Sequence, residues 1–261
     1  MAPDTLSLDG KVAIVTGSGR ENGIGAAIAF ALSRNGASVV INYTSESSAP
    51  RAESVANKIQ AAGGRAIVVK ASVDTPEGAN QLVQETLKGF KTDHIDILVN
   101  NAAVGFSLPT LETSQEQISF TFNVNVYGTI FLVQATVPHM PRGGRILNIS
   151  SVSSKLGMET LPIYGASKAA IDSLTYVWAK EFGRSRGITV NSVAPGPVKT
   201  DLNASADPAN AISKYLMDLT RAEERVGTAE DIADVILLLA SGKSRWVTGQ
   251  FISASGGITG Q

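Results

Sequence analysis

The sequence predicts an α/β fold: a doubly wound, about seven-stranded parallel sheet with helices on both faces, all in one domain over 1–261. Three observations carry that prediction. Short runs rich in β-branched residues recur along the chain, longer stretches with helical periodicity separate them, and a glycine-rich loop joins the first run to the first helical stretch. Strands joined through helices are parallel, because a right-handed crossover packs the helix back onto the sheet.

The strands are expected at 11–16 (KVAIVT), 38–42 (SVVIN), 65–70 (RAIVVK), 95–100 (IDILVN), 144–149 (GRILNI), 188–193 (ITVNSV) and 250–255 (QFISAS). Most are continuously apolar rather than alternating, as in strands covered on both faces. Helices are expected over 24–35, 48–62, 76–90, 114–137, 163–186 and 229–240. No repeat, low-complexity tract or linker divides the chain. The segment 196–213, rich in Pro, Asn, Asp and Ser, follows a strand. Ligands in open α/β sheets bind beyond the carboxyl ends of strands, so a flexible flap over a pocket is expected at about 197–217.

Composition narrows the function. The chain is 43% hydrophobic and 17% charged with a net charge of −1, and its Lys and Arg are scattered. That leaves no electrostatic footprint for nucleic acid or an anionic membrane. With no cysteine there is neither disulfide nor thiolate metal site. The start MAPDTLSLDG lacks the basic and apolar regions of a signal peptide, and no apolar run nears the ~20 residues of a membrane span. A cytoplasmic protein is expected. His94 and His139 are far apart with no metal-ligand spacing, so no metal is expected. Glu223-Glu224 reads as a solvated helix end, and Trp178 and Trp246 as packing or interface residues.

The glycine loop runs Gly17-Ser18-Gly19-Arg20-Glu21-Asn22-Gly23-Ile24-Gly25. Backbone N–H groups at a helix N-terminus bind anions, and the helix dipole reinforces them. A helix starting near Gly23 makes this loop a phosphate cradle.

Thr16-Gly17-x5-Gly23-Ile24-Gly25, Asn100-Asn101-Ala102-Ala103, Ser151, Tyr164-x3-Lys168 and Pro195-Gly196 occur in that order. Together they resemble the short-chain dehydrogenase/reductase family, over roughly residues 8–257. The resemblance implies a Rossmann fold and a nicotinamide cofactor. The family's glycine motif is usually Thr-Gly-x3-Gly-x-Gly, so two residues are inserted here and the lip at Ser18–Asn22 is lengthened. Enoyl reductases of the superfamily also lengthen this loop, but they space Tyr and Lys more widely. A carboxylate ending the second strand would hold the adenosine ribose and repel a 2′-phosphate. Asn42, Tyr43, Thr44 and Ser45 stand there instead, and Arg20 supplies positive charge, so NADP(H) is favoured. The family's Asp beneath the adenine is Ser72 here, followed by Val73. By the same resemblance Asn101, Ala102 and Ala103 approach the cofactor ribose, and Pro195, Gly196, Val198 and Thr200 line the nicotinamide carboxamide.

Tyr164 and Lys168 are four apart on a helix and share a face. An adjacent ammonium, together with the positive nicotinamide of the oxidised cofactor, favours the phenolate and brings the phenol's proton into useful range. Lys168 also orients the nicotinamide ribose. Ser151 follows a strand at the sheet edge, thirteen residues before Tyr164 as in the family, and donates to a substrate carbonyl. Asn125 matches the family's Asn-x-x-Gly, which implies an amide holding a water that links Lys168 to solvent. The implied reaction is hydride transfer from NADPH to a ketone or aldehyde, with Tyr164 as proton donor.

Val104, Phe106, Ser151, Ser153, Met158, Pro197, Leu202 and Tyr215 make a mostly apolar substrate pocket, suited to a bulky hydrophobic ketone. The compact HMPRGGRIL and the NYTS segment resemble fungal polyhydroxynaphthalene and related polyketide ketone reductases, with 3-oxoacyl-carrier-protein reductases almost as similar. Cyclisation or isomerisation in a repurposed pocket, and a non-catalytic NADP(H) sensor, are the other readings. Helices 114–137 and 163–182 are apolar round much of their surfaces. Family members pair these helices, which implies a homotetramer or dimer.

Overall fold

The computed structural model describes residues 6–200 and 211–259. Seven strands, β1 Val12–Val15, β2 Ser38–Tyr43, β3 Arg65–Lys70, β4 Ile97–Asn100, β5 Arg145–Ile149, β6 Thr189–Pro195 and β7 Phe251–Ala254, form one sheet in the order β3-β2-β1-β4-β5-β6-β7. Every neighbouring pair is parallel. The order reverses between β1 and β4, and that switch point opens a crevice at the carboxyl ends of the strands.

Helices α1 (Ile24–Arg34), α2 (Ala49–Ala61) and α9 (Ala229–Ala240) cover one face. On the other lie α3 (Pro76–Phe90), α5 (Gly128–Thr136) and α7 (Pro162–Arg186). Side chains alternate across a strand. Ala13 and Val15 therefore enter the first layer with Ile28, Leu32 and Ile236, while Val12 and Ile14 enter the second with Leu82 and Leu132. Two covered faces are the reason these strands read as unbroken apolar runs.

Local chemistry places the helix ends. Thr75 caps α3 by accepting from the Gly78 N–H at 3.1 Å, with Pro76 in the first turn. Thr228 and Asp231 form a capping box on α9. At the opposite edge Asp96 is nearly buried and accepts from Lys11 Nζ and the Val12 N–H, each at 2.9 Å, which ties β1 to β4.

The structure departs from the sequence expectation in three places. The helix expected over 114–137 is two helices, α4 (Gln115–Phe122) and α5, joined by a π-helical turn at Asn123–Tyr127. A short helix α6 (Ser153–Leu156), ended by Gly157 in the left-handed region, was not read from the sequence. The segment read as irregular to 213 contains the start of α8 (Ala211–Asp218), and Val198 pairs with Gly227 beside it. The rest of that segment, residues 201–210 with Leu202 among them, lies outside the described residues.

Candidate active site

The glycine loop leaves β1 at the switch point, held by side chains on three neighbouring segments. Thr16 Oγ1 accepts from the Asn101 and Ala102 N–H groups at 3.0 Å each. Asn101 Nδ2 donates back to the Thr16 carbonyl at 2.7 Å. Asn42 Oδ1 accepts from the Gly17 N–H at 3.2 Å, and its Nδ2 donates to the Ala71 carbonyl at 3.0 Å. Ser18 donates to the Val15 carbonyl at 2.7 Å and accepts from the Asn42 N–H at 3.0 Å. The side chains of Asn42, Ser18 and Asn101, residues expected at the cofactor, are committed to shaping this loop. A buried amide takes whatever backbone partners surround it.

The helix that follows is open to an anion. Gly23 caps α1 without a side-chain hydrogen bond, and the first turn carries no acidic residue. Gly25 keeps the floor clear: a Cβ there would stand 2.6 Å from Asn101 Nδ2 and 2.9 Å from the Gly17 carbonyl oxygen. An uncapped helix end over a cradle that a methyl group would fill suits a pyrophosphate. The inserted lip folds on itself through Gly23 N–H to the Arg20 carbonyl at 3.0 Å. Glu21 anchors it to α2 by an ion pair with Lys58 at 2.7 Å and a hydrogen bond from Ser54. Lys58 and Ser54 also hold the Glu21 carboxyl below its ordinary pKa. The longer loop is thus a clamped lip, a role the sequence did not signal.

At the end of β2, Tyr43, Thr44 and Ser45 carry no charge, and Glu46, just beyond, is paired with Lys70. Arg20 is exposed and makes no ion pair among the described residues. Ser72 is also exposed, its hydroxyl on Asp74, while the Val73 side chain is buried in the core. Val198 is likewise a core residue, its side chain packed away from the crevice's surface.

Ser151 follows β5, and its Oγ accepts from the Ser153 N–H at 3.1 Å. Tyr164 and Lys168 lie one turn apart on α7, with Lys168 Nζ 5.7 Å from the Tyr164 ring centre. The structure brings these three side chains together. Desolvation raises the phenol above the ordinary tyrosine value, opposed by its hydrogen bond with Ser151. Lys168, 2% exposed, is lowered to about 8 by burial, and its Nζ donates to the Ile149 carbonyl at 2.8 Å. In this state the ammonium serves a backbone carbonyl rather than the phenol.

Asn125 sits in the π-helical turn. Its Oδ1 accepts from the Val104 N–H at 2.8 Å, and its Nδ2 donates to the Val104 carbonyl at 2.8 Å and to Ser167 Oγ at 3.0 Å. Both amide N–H groups are committed, so the side chain ties the 104 loop to α7. The next residue, Gly105, lies against the catalytic candidate: a Cβ there would be 2.8 Å from the Tyr164 ring. Phe106 packs on Phe120 with ring centres 6.4 Å apart, and Ser153 Oγ contacts Met158 Sδ at 3.3 Å. Val104 and Pro197 are partly exposed, whereas Tyr215 on α8 is 62% exposed. Gly196 and Pro197 continue from β6, where the Pro195 carbonyl accepts from the Val152 N–H at 3.0 Å. Beneath the site Asn100 donates to Asn148 and Asn148 to Thr175, each at 2.8 Å.

His94 and His139 meet in an open cleft at the opposite end of the sheet, with Lys11, Asp93 and Asp96. No group of three His, Cys, Asp or Glu that could hold a metal occurs among the described residues. Glu223 pairs with Arg225, which also pairs with Asp231, each at 2.6 Å.

Fold and crevice together define a doubly wound nucleotide-binding protein. A family model described as Enoyl-(Acyl carrier protein) reductase matches residues 17–259. Short-chain dehydrogenase/reductase FrzI of Cladobotryum sp is 41% identical over 262 residues, 99% of each chain. Hydroxynaphthalene reductase arp2 of Aspergillus fumigatus is 38% identical, over 95% of this chain and 92% of that protein. Among solved structures, a dehydrogenase/reductase from Sinorhizobium meliloti superimposes with a TM-score of 0.90 at 36% identity, covering 98% and 97% of the two chains. Angucycline C-6 ketoreductase LanV with bound NADP does so at 0.89 and 38%, covering 97% and 96%. The chain belongs to the short-chain dehydrogenase/reductase family.

Proposed function

We propose that this chain is an NADPH-dependent reductase of a hydrophobic ketone in a biosynthetic pathway, with Tyr164 as proton donor. The observation that carries the reading is the meeting of Ser151, Tyr164 and Lys168 beside the open end of α1. Solved relatives that hold NADP, LanV and a Burkholderia cenocepacia short-chain dehydrogenase, support the cofactor.

Gly23, Ile24 and Gly25 would hold the pyrophosphate with their backbone, Arg20 and the Tyr43–Ser45 stretch the 2′-phosphate, and Ser72 with Val73 the adenine. Ala102, Ala103 and Lys168 would border the nicotinamide ribose, and Gly196 and Thr200 the carboxamide. When bound, the nicotinamide supplies the hydride. Ser151 donates a hydrogen bond to the substrate oxygen, and Tyr164 gives up its proton to that oxygen as charge develops there. Lys168, turned from the Ile149 carbonyl, lowers the cost of the phenolate that remains.

The walls from Val104, Phe106, Met158 and Pro197 favour an apolar ketone. A 3-oxoacyl thioester is the second reading, favoured by the acyl-carrier description of the matching family model. The four-residue Tyr–Lys spacing stands against enoyl reduction. Exposed Tyr127, Tyr176, Val177 and Trp246 support a homotetramer, which the mass in solution tests. A panel of ketones and acyl thioesters followed by NADPH consumption, with Tyr164→Phe alongside, tests the activity. Turnover undiminished in Tyr164→Phe overturns the proton-donor role, and NADPH binding without turnover would instead favour a sensor.

A further inference from the structure

Asp172 lies on α7 one turn beyond Lys168, and the proton-transfer scheme does not use it. Both of its carboxylate oxygens are sealed from solvent, with no hydrogen-bond partner among the described residues. A buried carboxylate without donors is strongly disfavoured unless an opposite charge stands close. Residues four apart on a helix are neighbours, and the neighbour here is a lysine 2% exposed whose Nζ has a single hydrogen bond, to a backbone carbonyl. Two under-satisfied groups of opposite charge thus occupy one helix face inside the protein.

We propose that Asp172 is a positioning residue for proton transfer: its carboxylate holds Lys168 as the ammonium that Tyr164 needs, in surroundings that would otherwise strip the lysine of its proton. The inference rests on the reading of Tyr164 as proton donor. Burial draws Lys168 down to about 8, and Asp172 is the charge that pushes back. The other groups at the lysine are neutral: the Tyr164 phenol on its own helix and the Ile149 carbonyl at the end of β5. Among the described residues Asp172 is the charged side chain that acts on it.

The direction follows. Without the carboxylate the ammonium loses stabilisation, so the lysine gives up its proton at lower pH. The test is the pH profile of NADPH-dependent ketone reduction in the full-length protein, from about pH 6 to about 9, with Asp172→Asn against the unsubstituted chain. The alkaline limb should move down by about one unit, a roughly tenfold loss on that side with near-normal turnover at the acid end. Asp172→Glu should restore the limb. A limb that stays in place overturns the proposal, whether activity is intact or lowered equally at every pH. Should Asp172→Asn fail to melt cooperatively or bind NADPH, Asp172→Ser gives the same comparison. Tyr164→Phe in the same assay separates the two ideas. If it is inactive while the Asp172→Asn limb is unmoved, only the role of Asp172 falls; if it is active, the proton-donor reading falls first.

Discussion

Asn125 grips the peptide groups of Val104 from both sides, accepting from its N–H and donating to its carbonyl, each at 2.8 Å. The second amide N–H goes to Ser167 Oγ, whose hydroxyl donates to the Tyr164 carbonyl at 2.7 Å. One side chain therefore couples the 104 loop, the π-helical turn and the first turns of α7. Wide turns of this kind recur at functional sites.

Asn125→Ala leaves the Val104 N–H and carbonyl without their partner. Loss of about 2–3 kcal/mol is expected, as for buried polar groups stripped of hydrogen bonds. Chemical denaturation measures it. Asn125→Asp, which keeps the acceptor but loses both donors and buries a carboxylate against the Val104 carbonyl, should cost at least as much. An unchanged midpoint in Asn125→Ala would show that the tie carries no energy.

Gly105→Ala places a methyl group 2.8 Å from the Tyr164 ring, and the ring has to move. A displacement near the reacting atoms costs roughly tenfold to a hundredfold in kcat. NADPH affinity should hold, since the phosphate cradle is remote. Steady-state kinetics with a cofactor titration separates these effects; full kcat in the variant would remove Gly105 from the site's geometry.

Ketone reduction should fall as pH rises through about 8, where Lys168 loses its proton, and be flat below. The sign follows from a lysine whose native pKa lies below its ordinary value: the charged form is complete on the acid side and is lost on the alkaline side. A profile of kcat/KM that stays level to pH ~10 would detach Lys168 from the rate.

Arg20→Glu should raise the KM for NADPH by about tenfold and leave NADH nearly untouched, because a carboxylate on the lip repels a 2′-phosphate. Glu21→Gln tests the clamp apart from the charge. Its ion pair with Lys58 is partly exposed and screened by solvent, so the unfolding midpoint should barely move. Equal effects of Arg20→Glu on both cofactors would move the phosphate contact elsewhere.

The sheet was legible because each strand has both faces covered and so declares itself as an apolar run, and the helix starts because Thr75 and Thr228 cap through neighbours three residues away. The Tyr164–Lys168 pair was legible for the same reason: one helical turn brings the two together whatever the rest of the chain does. The structural ties of Asn42, Asn101 and Asn125 were not legible, because their partners lie 25, 85 and 21 residues away in the chain.

Chain order alone settled what depends on neighbours: the strand runs, the capped helices, the glycine loop and the phenol–ammonium spacing. Folding in three dimensions decided the rest, namely that Asn125 is a tie, that Gly105 backs Tyr164, that the lip is clamped by Glu21, and that desolvation pushes the phenol up. The reason is range. Periodicity and caps act over one or two turns of chain, whereas hydrogen bonds and desolvation act over a few ångströms of space, between segments that sequence order keeps far apart.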